Sequence, residues 1–426
     1  MKASILCAEK NRFELINSKS LNIQLFGTDN DYPQKVIDIV FSSVTGKACF
    51  INYSKFINGN GFVDEKAYQL FVNNSQTLDD ILHDVSRDFA LFGGFCLHVN
   101  YNANYKKTTI SHIPLENARF QALDEEGNFT KIALHPDWGR RNLLSRRWRR
   151  EDIDFIDIYN PSPEVIEQQV AAAGGWDSYK GQIFYYSNEG VGVYPIPIFD
   201  EVLTDMNTEE AISDITNRNA TRGFLPAGFF IDILNKETDN DEGETDAEKV
   251  IKQMQGSRNA NKVGYMSVNS KEEIPEFLKL SGNSYDKEFT VSRESVKDAI
   301  GRAFTQPPIL RCENVGAGFG SELMEQAYDY YNSTTSNERL VLERVFSELL
   351  TNYKENKDIN TEIQPLSFKS NLSLAERLGE AGLTKLLDII NSNMTYTQKR
   401  SIASALWDIS EDDINRLIPV TNDSIN

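Results

Sequence analysis

Two adjacent prolines divide the C-terminal half of this chain. Pro307 and Pro308 follow a stretch with helical spacing, Lys287 to Phe304, and precede another that begins near Ser321. Because proline lacks a backbone N–H and its ring clashes with the preceding turn, the first helix must end before the pair. The run GAGFGS fills most of the interval before the second helix. The chain must therefore leave one helix, pass through a loop and start another.

A glycine-rich loop that opens a helix is also the form of a phosphate-binding site. A dinucleotide loop needs G-x-G-x-x-G directly after a buried strand, and a Walker loop needs a lysine before its Ser or Thr. Here Gly316, Gly318 and Gly320 give G-x-G-x-G after a proline pair and a charged turn, and Ser321 has no lysine before it. The motif fails in all three respects, which favours an interhelical loop over a nucleotide site.

Composition indicates a globular chain of two or three structural units. Its 426 residues carry 63 acids against 44 Lys plus Arg, a formal net charge of −19. Nucleic-acid binding depends on Lys and Arg, so the chain as a whole is not expected to hold DNA tightly. We expect neither a signal peptide nor membrane association, because no apolar run approaches the ~18 residues of a membrane span.

Residue types that carry catalysis or bind metals are present without the required spacing. The acidic run Glu237 to Glu248 fails as an EF-hand, because a frame with Gly243 at its sixth position ends on Lys249. There is no CxxC pair, HExxH motif or GxSxG elbow among the scattered cysteines, histidines and serines. We therefore expect no enzyme activity, no cofactor and no metal.

A basic cluster stands out against the acidic background. The segment RRNLLSRRWRR holds six arginines and one tryptophan in eleven residues, namely Arg140, Arg141, Arg146, Arg147, Arg149 and Arg150. Guanidinium groups with an interleaved aromatic ring are able to grip phosphates or stack on bases. The same residues suit a subunit interface that pairs with acidic surface on a neighbour. Both interpretations stay open at this stage.

The order of elements indicates an α+β protein. Residues 1–199 mix helical stretches with alternating strands, including a hairpin at GGFCLHVNYNANYKKTTISHIPL. A polar helix over residues 200–223 follows, and then a strand–helix–strand–strand insert. After the proline pair, residues 321–353 have helical spacing that the polar interval NSTTSNER is expected to kink or interrupt. Small helices are predicted beyond residue 371, with capping boxes at Ser373/Glu376 and Thr395/Gln398.

This ordered set resembles the portal proteins of tailed bacteriophages. DNDYPQKVIDIVFSSVTGKACF with FINGNGF is similar to the opening of many portals, and DFALFGGFCLHVNY with TTISHIPLENARF looks like their helix-to-hairpin segment. NATRGFLPAGFFIDI and MQGSRNANKVGYMSV resemble the steps into and out of their inserted domain. VKDAIGRAFTQPPIL matches the most recognisable portal signature, and SELMEQAYDYYNSTT with RLVLERVFSELL looks like the long helix after it. Many relatives carry a proline near Ser336 or Asn337, and this chain does not.

The resemblance implies a portal-type subunit with seven parts. They are a mixed α/β wing (1–199), stem helix 1 (200–223), a small clip (224–285), stem helix 2 (286–305), a tunnel loop (306–320), a long helix (321–353) and a helical crown (354–426). The residues expected to face DNA in the tunnel loop are Arg311, Glu313, Asn314, Val315, Gly316, Ala317, Gly318, Phe319 and Gly320.

The resemblance also implies an assembly role. Portals form a closed, usually dodecameric ring at one capsid vertex, through which double-stranded DNA is packaged and ejected. The implied partners are further copies of the chain, the DNA, the terminase large subunit, the major capsid protein and neck or adaptor proteins. The implied location is the virion, with assembly in the bacterial host cytoplasm. Two alternatives stay open: a nucleotide-binding enzyme using Gly316 to Gly320, and a DNA-binding module using Arg140 to Arg150.

Overall fold

The chain divides into two compact units, Met1–Ser367 and Phe368–Asn426. The computed structural model describes residues 16–27, 29–124, 128–138, 148–188, 190–191, 193–222, 229–233, 264–268, 285–313, 321–355, 358–368, 374–392, 394–395 and 398–402. Helices and a mostly antiparallel sheet occur together in the first unit, which confirms the predicted α+β class.

A short hairpin and a pair of helices open the described chain. The elements are β1 (Ile16–Ser18), β2 (Ile23–Leu25), α1 (Tyr32–Ser42) and α2 (Val44–Asn58). Pro33 lies in the first turn of α1, where its missing N–H costs no helical hydrogen bond. Ser43 separates the two helices, and its hydroxyl caps α2 by accepting from the Gly46 N–H at 2.9 Å.

The turn after α2 depends on a glycine. Gly59 has φ 58°, and a Cβ there would lie 2.2 Å from the carbonyl oxygen of Gln364. The Asn60 N–H donates to that same carbonyl at 2.7 Å, and the Gln364 N–H donates to the Gly61 carbonyl at 2.9 Å. The NGNGF turn thus holds the chain segment that follows the last helices of the first unit.

Two more helices lead into the main sheet. They are α3 (Lys66–Gln69) and α4 (Leu78–Phe92). Thr77 and Asp80 form a reciprocal capping box at the start of α4. Helix α4 ends at Gly93, whose left-handed φ of 75° turns the chain directly into the first long strand.

A six-stranded sheet forms the centre of the first unit. Its strands are β3 (Gly94–Tyr101), β4 (Lys107–Ile113), β5 (Ala118–Phe120), β6 (Lys131–Leu134), β7 (Asp154–Ile158) and β8 (Gln182–Ser187), in the order β4-β3-β8-β7-β6-β5. The predicted hairpin is β3 with β4. Strands β7 and β8 pair in parallel because α5 (Pro163–Ala173) returns the chain between them. A small pair, β9 (Gly190–Val191) and β10 (Tyr194–Pro195), follows.

The second half is mainly helical. It contains α6 (Leu203–Arg222), the parallel pair β11 (Phe229–Ile233) and β12 (Gly264–Val268), α7 (Tyr285–Ala303), α8 (Ser321–Thr334) and α9 (Ser336–Leu350). The predicted helix and final strand of the insert lie outside the described residues. In the second unit, α10 (Leu374–Asn391) is followed by the predicted Thr395/Gln398 capping box, and Ser373 lies outside the described residues.

The predicted interruption of the long helix is confirmed at Thr335. Its hydroxyl donates to the carbonyl of Tyr331 at 2.9 Å, a bond to the preceding turn that bends helices. The buried Arg339 donates to the Thr335 hydroxyl at 2.7 Å and to the Phe56 carbonyl at 2.8 Å. A buried guanidinium therefore lies at the break between the two helices.

One buried lysine joins the edge of the sheet to the end of α9. Lys107 is 2% exposed, and its Nζ donates to the Glu348 carbonyl at 2.8 Å and lies 5.3 Å above the Tyr159 ring. Its backbone accepts from the Lys354 N–H at 2.8 Å and donates to the Asn352 carbonyl at 3.0 Å. Burial lowers the pKa of Lys107 from 10.5 to about 8.

This depressed pKa predicts a pH-dependent contribution to stability. Between about pH 8 and 10.5 the unfolded chain binds more protons at Lys107 than the folded chain, so its contribution to the unfolding free energy rises with pH. Measured against Lys107→Met, the wild type should gain about 2–3 kcal/mol from pH 7.5 to 10 in denaturant titrations. The same comparison with Lys131→Met, at an exposed lysine, serves as the control. A pH-independent difference for Lys107→Met would contradict the prediction.

Candidate functional site

The proline pair follows an aromatic anchor that joins four parts of the chain. Phe304 is fully buried directly after α7. Its ring stacks on Phe199 at 4.8 Å and meets the edge of Tyr53, on α2, at 6.0 Å. The Tyr331 hydroxyl, on α8, donates to the Phe304 carbonyl at 3.0 Å. Phe199 precedes α6, so the beginning of α6 and the end of α7 meet at this ring.

The chain turns sharply between Phe304 and the loop. Thr305 has a left-handed φ of 51°, and a 3-10 helix then runs over Pro308–Arg311. That helix ends at Cys312, whose φ is 60°. Asn52 on α2 donates from Nδ2 to the Leu310 carbonyl at 2.9 Å. The residues before the glycine run therefore form a helical turn that is hydrogen-bonded to α2, and not a strand. A dinucleotide-binding loop requires a buried strand at this position.

Helix α6 is fastened to α2 by a carboxylate. Glu209 accepts from the Ser43 hydroxyl, from the Thr45 N–H at 3.1 Å and from the Thr45 hydroxyl at 2.7 Å. A negative charge at the N-terminus of α2 is favourable because unpaired N–H groups point at it. Gly46 permits the close approach, because a Cβ there would lie 2.9 Å from the Met206 sulfur.

A second contact fastens the residues just before α6. The Tyr32 hydroxyl donates to the Asp200 carboxylate across 168 positions of sequence. Burial, followed by this bond to a carboxylate, raises the pKa of Tyr32 far above its usual value. The beginning of α6 is thus held by polar contacts with both α1 and α2.

Arg311, predicted to face DNA, lies folded against α7. Its side chain is 7% exposed, and its Nη2 lies 2.8 Å from Glu313 and 4.0 Å from Asp298. The guanidinium rests on Gly301, where a Cβ would lie 1.0 Å from Nη1. Among the residues that the structure describes, its Nε and Nη1 atoms have no hydrogen-bond partner. Glycine at 301 is therefore what makes room for this arginine.

The remaining residues predicted for the tunnel loop, Asn314 to Gly320, lie outside the described residues. Of that set, the structure places Arg311 and Glu313, and brings them together as an ion pair. The described chain resumes with α8. Its exposed face carries Glu322, Glu325 and Asp329, while Ala327 and Tyr331 are buried.

Two tryptophans lie at the basic cluster, Trp138 just before it and Trp148 within it. Trp138 is buried after β6, and Trp148 meets it edge to face at 5.6 Å. The indole N–H of Trp148 donates to the Asp137 carbonyl at 3.2 Å, and that of Trp138 donates to the Asn117 carbonyl at 2.9 Å. This pair brings together the two ends of the segment that connects β6 with β7.

Only part of the basic cluster is described. Arg149 and Arg150 are exposed beside Trp148, at the C-terminal end of the segment. Arg140, Arg141, Arg146 and Arg147 lie outside the described residues.

Searches for other kinds of site concern the described residues alone. Within those ranges, no three or more His, Cys, Asp or Glu side chains are grouped so as to hold a metal ion. Two histidines have structural partners: His112 lies 2.8 Å from Asp88, and His98 lies 2.6 Å from the Lys180 carbonyl. Among the helices of the described chain, none has the length and apolar character to span a membrane.

Three residues of this site were not singled out from the sequence. Gly301 had a weak signal, since a glycine inside a helix that gains nothing locally suggests close packing. Glu209 and Gly46 had none, because both belong to ordinary helical stretches and the partners Thr45 and Met206 lie 164 and 160 positions away.

Comparisons with known proteins find structural neighbours. No protein-family model and no curated protein matches the chain. The chain is similar to the neck of a native gene transfer agent particle computed with C12 symmetry, at 12% identity and TM-score 0.43, over 91% of this chain and 94% of that one. A chain of the virion of a native gene transfer agent particle matches at 12% identity and TM-score 0.43, over 91% and 93%.

A third solved structure is a portal protein. It is an HK97-family phage portal protein from Corynebacterium diphtheriae, at 12% identity and TM-score 0.31, over 68% of this chain and 83% of that one. A phage portal protein is thus among the structures that the chain resembles, in agreement with the resemblance found in its sequence. Because these three TM-scores are 0.43 or lower, the functional argument rests on the chain's own residues.

The contact between Gly301 and Arg311 predicts an effect that depends on background. In an Arg311→Ala chain, Gly301→Ala should stabilise by about 0.5–1 kcal/mol, because alanine favours a helix. In the wild type the new methyl group would displace the Arg311 guanidinium from its position on α7. We therefore expect a coupling energy of about 1–3 kcal/mol between Gly301→Ala and Arg311→Ala in the double-mutant cycle.

Denaturant titrations of the two single variants and the double variant measure this coupling. Arg302→Ala, at an exposed arginine on the same helical turn, is the matched control and should not couple to Gly301→Ala. If Gly301→Ala changes the free energy of unfolding equally in the wild-type and Arg311→Ala backgrounds, the contact between Gly301 and Arg311 does not contribute to stability.

Proposed function

We propose that this protein is a phage portal subunit, which assembles into a ring at a capsid vertex and conducts double-stranded DNA. The observation that carries the proposal is the helix pair α6–α7 with its exit. Phe304 and Glu209 fasten the inner ends of both helices to the body, and the chain then leaves through a pinned turn towards the glycine-rich loop. A rigid pair of helices that leads directly into a loop suits the wall of a conduit better than a catalytic cleft.

The proposed division follows this arrangement. The sheet domain with α1 to α5 is the wing, within residues 1–199. Helices α6 and α7 correspond to the stem, 200–223 and 286–305, with α7 starting one residue earlier at Tyr285, and β11 and β12 belong to the clip, 224–285. The tunnel loop is 306–320, the long helix 321–353 comprises α8 and α9, and the crown is 354–426.

Charge supports a conduit over a DNA-binding module. DNA carries one charge per ~1.7 Å of axis, so acidic walls prevent any one register from becoming a deep trap. Directly after the loop, α8 presents Glu322, Glu325 and Asp329 on its exposed face. Arg311, the cation nearest to the loop among the described residues, is paired with Glu313. Bound duplex would therefore meet more negative than positive charge at this point.

The proposed partners are those of a ring at a capsid vertex. They are about twelve copies of this chain, double-stranded DNA in transit, the terminase large subunit, the major capsid protein, and neck or adaptor proteins. The proposed location is the virion, after assembly in the host cytoplasm. A closed ring requires a heterologous interface, in which one face of each copy meets a different face of the next. The exposed Arg149 and Arg150 suit one side of such an interface or a contact with the capsid.

Ring formation is the direct test of the proposal. Purified full-length protein should give closed rings by negative-stain microscopy and one oligomer of about twelve subunits by native mass spectrometry. Calorimetric titration with ATP or NAD should be flat. A chain that stays monomeric at high micromolar concentration, or that binds nucleotide saturably, would contradict the proposal.

The acidic face of α8 gives a test of which wall lines the bore. Changing Glu322, Glu325 and Asp329 together to lysine should raise the affinity of the rings for short duplex DNA about tenfold or more at low salt, because each new cation releases counterions. Fluorescence anisotropy across a salt series measures this affinity. The matched control changes Glu164, Glu167 and Asp177, three exposed acids around α5, to lysine. An equal rise in DNA affinity for the control variant would show that the acids of α8 have no special role in lining the bore.

A further inference from the structure

The turn after α2 contains both Asn-Gly dipeptides of the chain. They are Asn58-Gly59 and Asn60-Gly61. An asparagine that precedes glycine is prone to deamidation, because glycine has no side chain to hinder the attack of its backbone nitrogen on the side-chain carbonyl carbon of the asparagine. Both dipeptides share this tendency in the unfolded chain. The folded structure therefore decides which of them reacts.

The attacking nitrogen is held more firmly at the first dipeptide than at the second. The Gly59 N–H donates to the Lys55 carbonyl at 2.9 Å in the last turn of α2, and Gly59 is buried. Asn60 is exposed, and the Gly61 N–H makes a longer bond of 3.3 Å to the Asn58 carbonyl. A longer hydrogen bond on the nitrogen and access of water to the side chain both favour reaction at Asn60.

A tyrosine hydroxyl polarises the peptide group that would react. Tyr68 donates from its hydroxyl to the Asn60 carbonyl at 2.9 Å. The attacking nitrogen of Gly61 belongs to the same peptide group, so its deprotonation places negative charge on that carbonyl oxygen. A donor aimed at developing charge lowers the barrier of a reaction. Burial, followed by the charge of Asp79, raises the pKa of Tyr68, so the hydroxyl stays protonated and remains a donor.

The absence of a side chain at Gly61 brings the hydroxyl to this peptide group. Gly61 has φ 85°, and a Cβ there would lie 2.4 Å from the Tyr68 hydroxyl and 2.5 Å from Asp79 Oδ1. Any other residue would push both groups away. The Asn60-Gly61 peptide, the hydroxyl and the carboxylate are therefore packed against one another.

We propose that Asn60 is a self-modification site, at which this turn promotes its own deamidation. The Gly61 nitrogen forms a bond to Asn60 Cγ, the Cγ–Nδ2 bond breaks, and Nδ2 leaves as ammonia with the proton from the Gly61 nitrogen. Water then opens the resulting succinimide ring and gives aspartate or isoaspartate, with one new negative charge. The reaction needs only water as co-reactant and is independent of ring assembly.

The product weakens the contact between this turn and the segment that leads to the second unit. Asn60 Nδ2 donates to the Pro365 carbonyl at 3.2 Å, whereas a carboxylate there only accepts hydrogen bonds. Isoaspartate also adds a main-chain atom between Asn60 and Gly61. Gln364 bonds to both of these residues, at 2.7 Å and 2.9 Å, so the extra atom puts the two bonds out of register.

Mass spectrometry of the full-length protein tests the reaction. The protein is held folded in mildly alkaline buffer and sampled over time, and peptides that span the turn are fragmented to separate conversion at Asn60 from conversion at Asn58. We expect Asn60 to convert about tenfold faster than Asn58 or more, and faster than it does in the same chain unfolded in denaturant. Equal rates at the two asparagines, or a folded rate at Asn60 no higher than the unfolded rate, would overturn the proposal.

The variant Tyr68→Phe tests the contribution of the hydroxyl. It should slow conversion at Asn60 about fivefold and leave the rate at Asn58 unchanged, because the donor is removed while the ring remains. Asn58 in the same molecule is the matched control, since a general loss of stability would change the rates at both asparagines. An unchanged rate at Asn60, or an equal change at both residues, would show that the hydroxyl does not promote the reaction and would overturn the proposal.

Discussion

The burial of Phe304 is the contact on which the second half of the molecule depends. Its ring is shared by the approach to α6, by α2 and by the end of α7, and its carbonyl holds α8 through Tyr331. Four segments far apart in sequence therefore meet at one side chain. Because interiors are closely packed, displacing this ring would shift all four together. The direction in which the chain leaves α7 follows from that contact.

Polar contacts then set how the helix pair sits on the body. Glu209, on α6, accepts a hydrogen bond from the Thr45 N–H in the first turn of α2. The hydroxyl of Tyr32 donates to Asp200, which lies just before α6 in the chain. Arg311 lies on Gly301, and within the described residues two of its nitrogen atoms and the amide of Gln306 have no hydrogen-bond partner. Buried groups of this kind cost free energy.

Local signals predicted a large part of this fold. Thr77 caps α4, Pro33 and Pro163 lie in the first turns of α1 and α5, and Gly174 ends α5, so these boundaries depend on residues that act on their own turn. The proline pair and the polar interval at Thr335 likewise marked real breaks. The strand order was not predictable, because β8 inserts between β3 and β7 from a position after α5. Such pairings depend on contacts that single-segment patterns do not contain.

The sequence by itself determined where most elements begin and end, the acidic balance of the chain and the order of parts that resembles a portal. It did so because propensity, capping and charge act over a few residues or over the whole composition. Only the tertiary structure decided that Arg311 turns back onto Gly301 and that Glu209 caps a distant helix. Each of these depends on which segments meet in the folded chain, and that is a property of long-range packing.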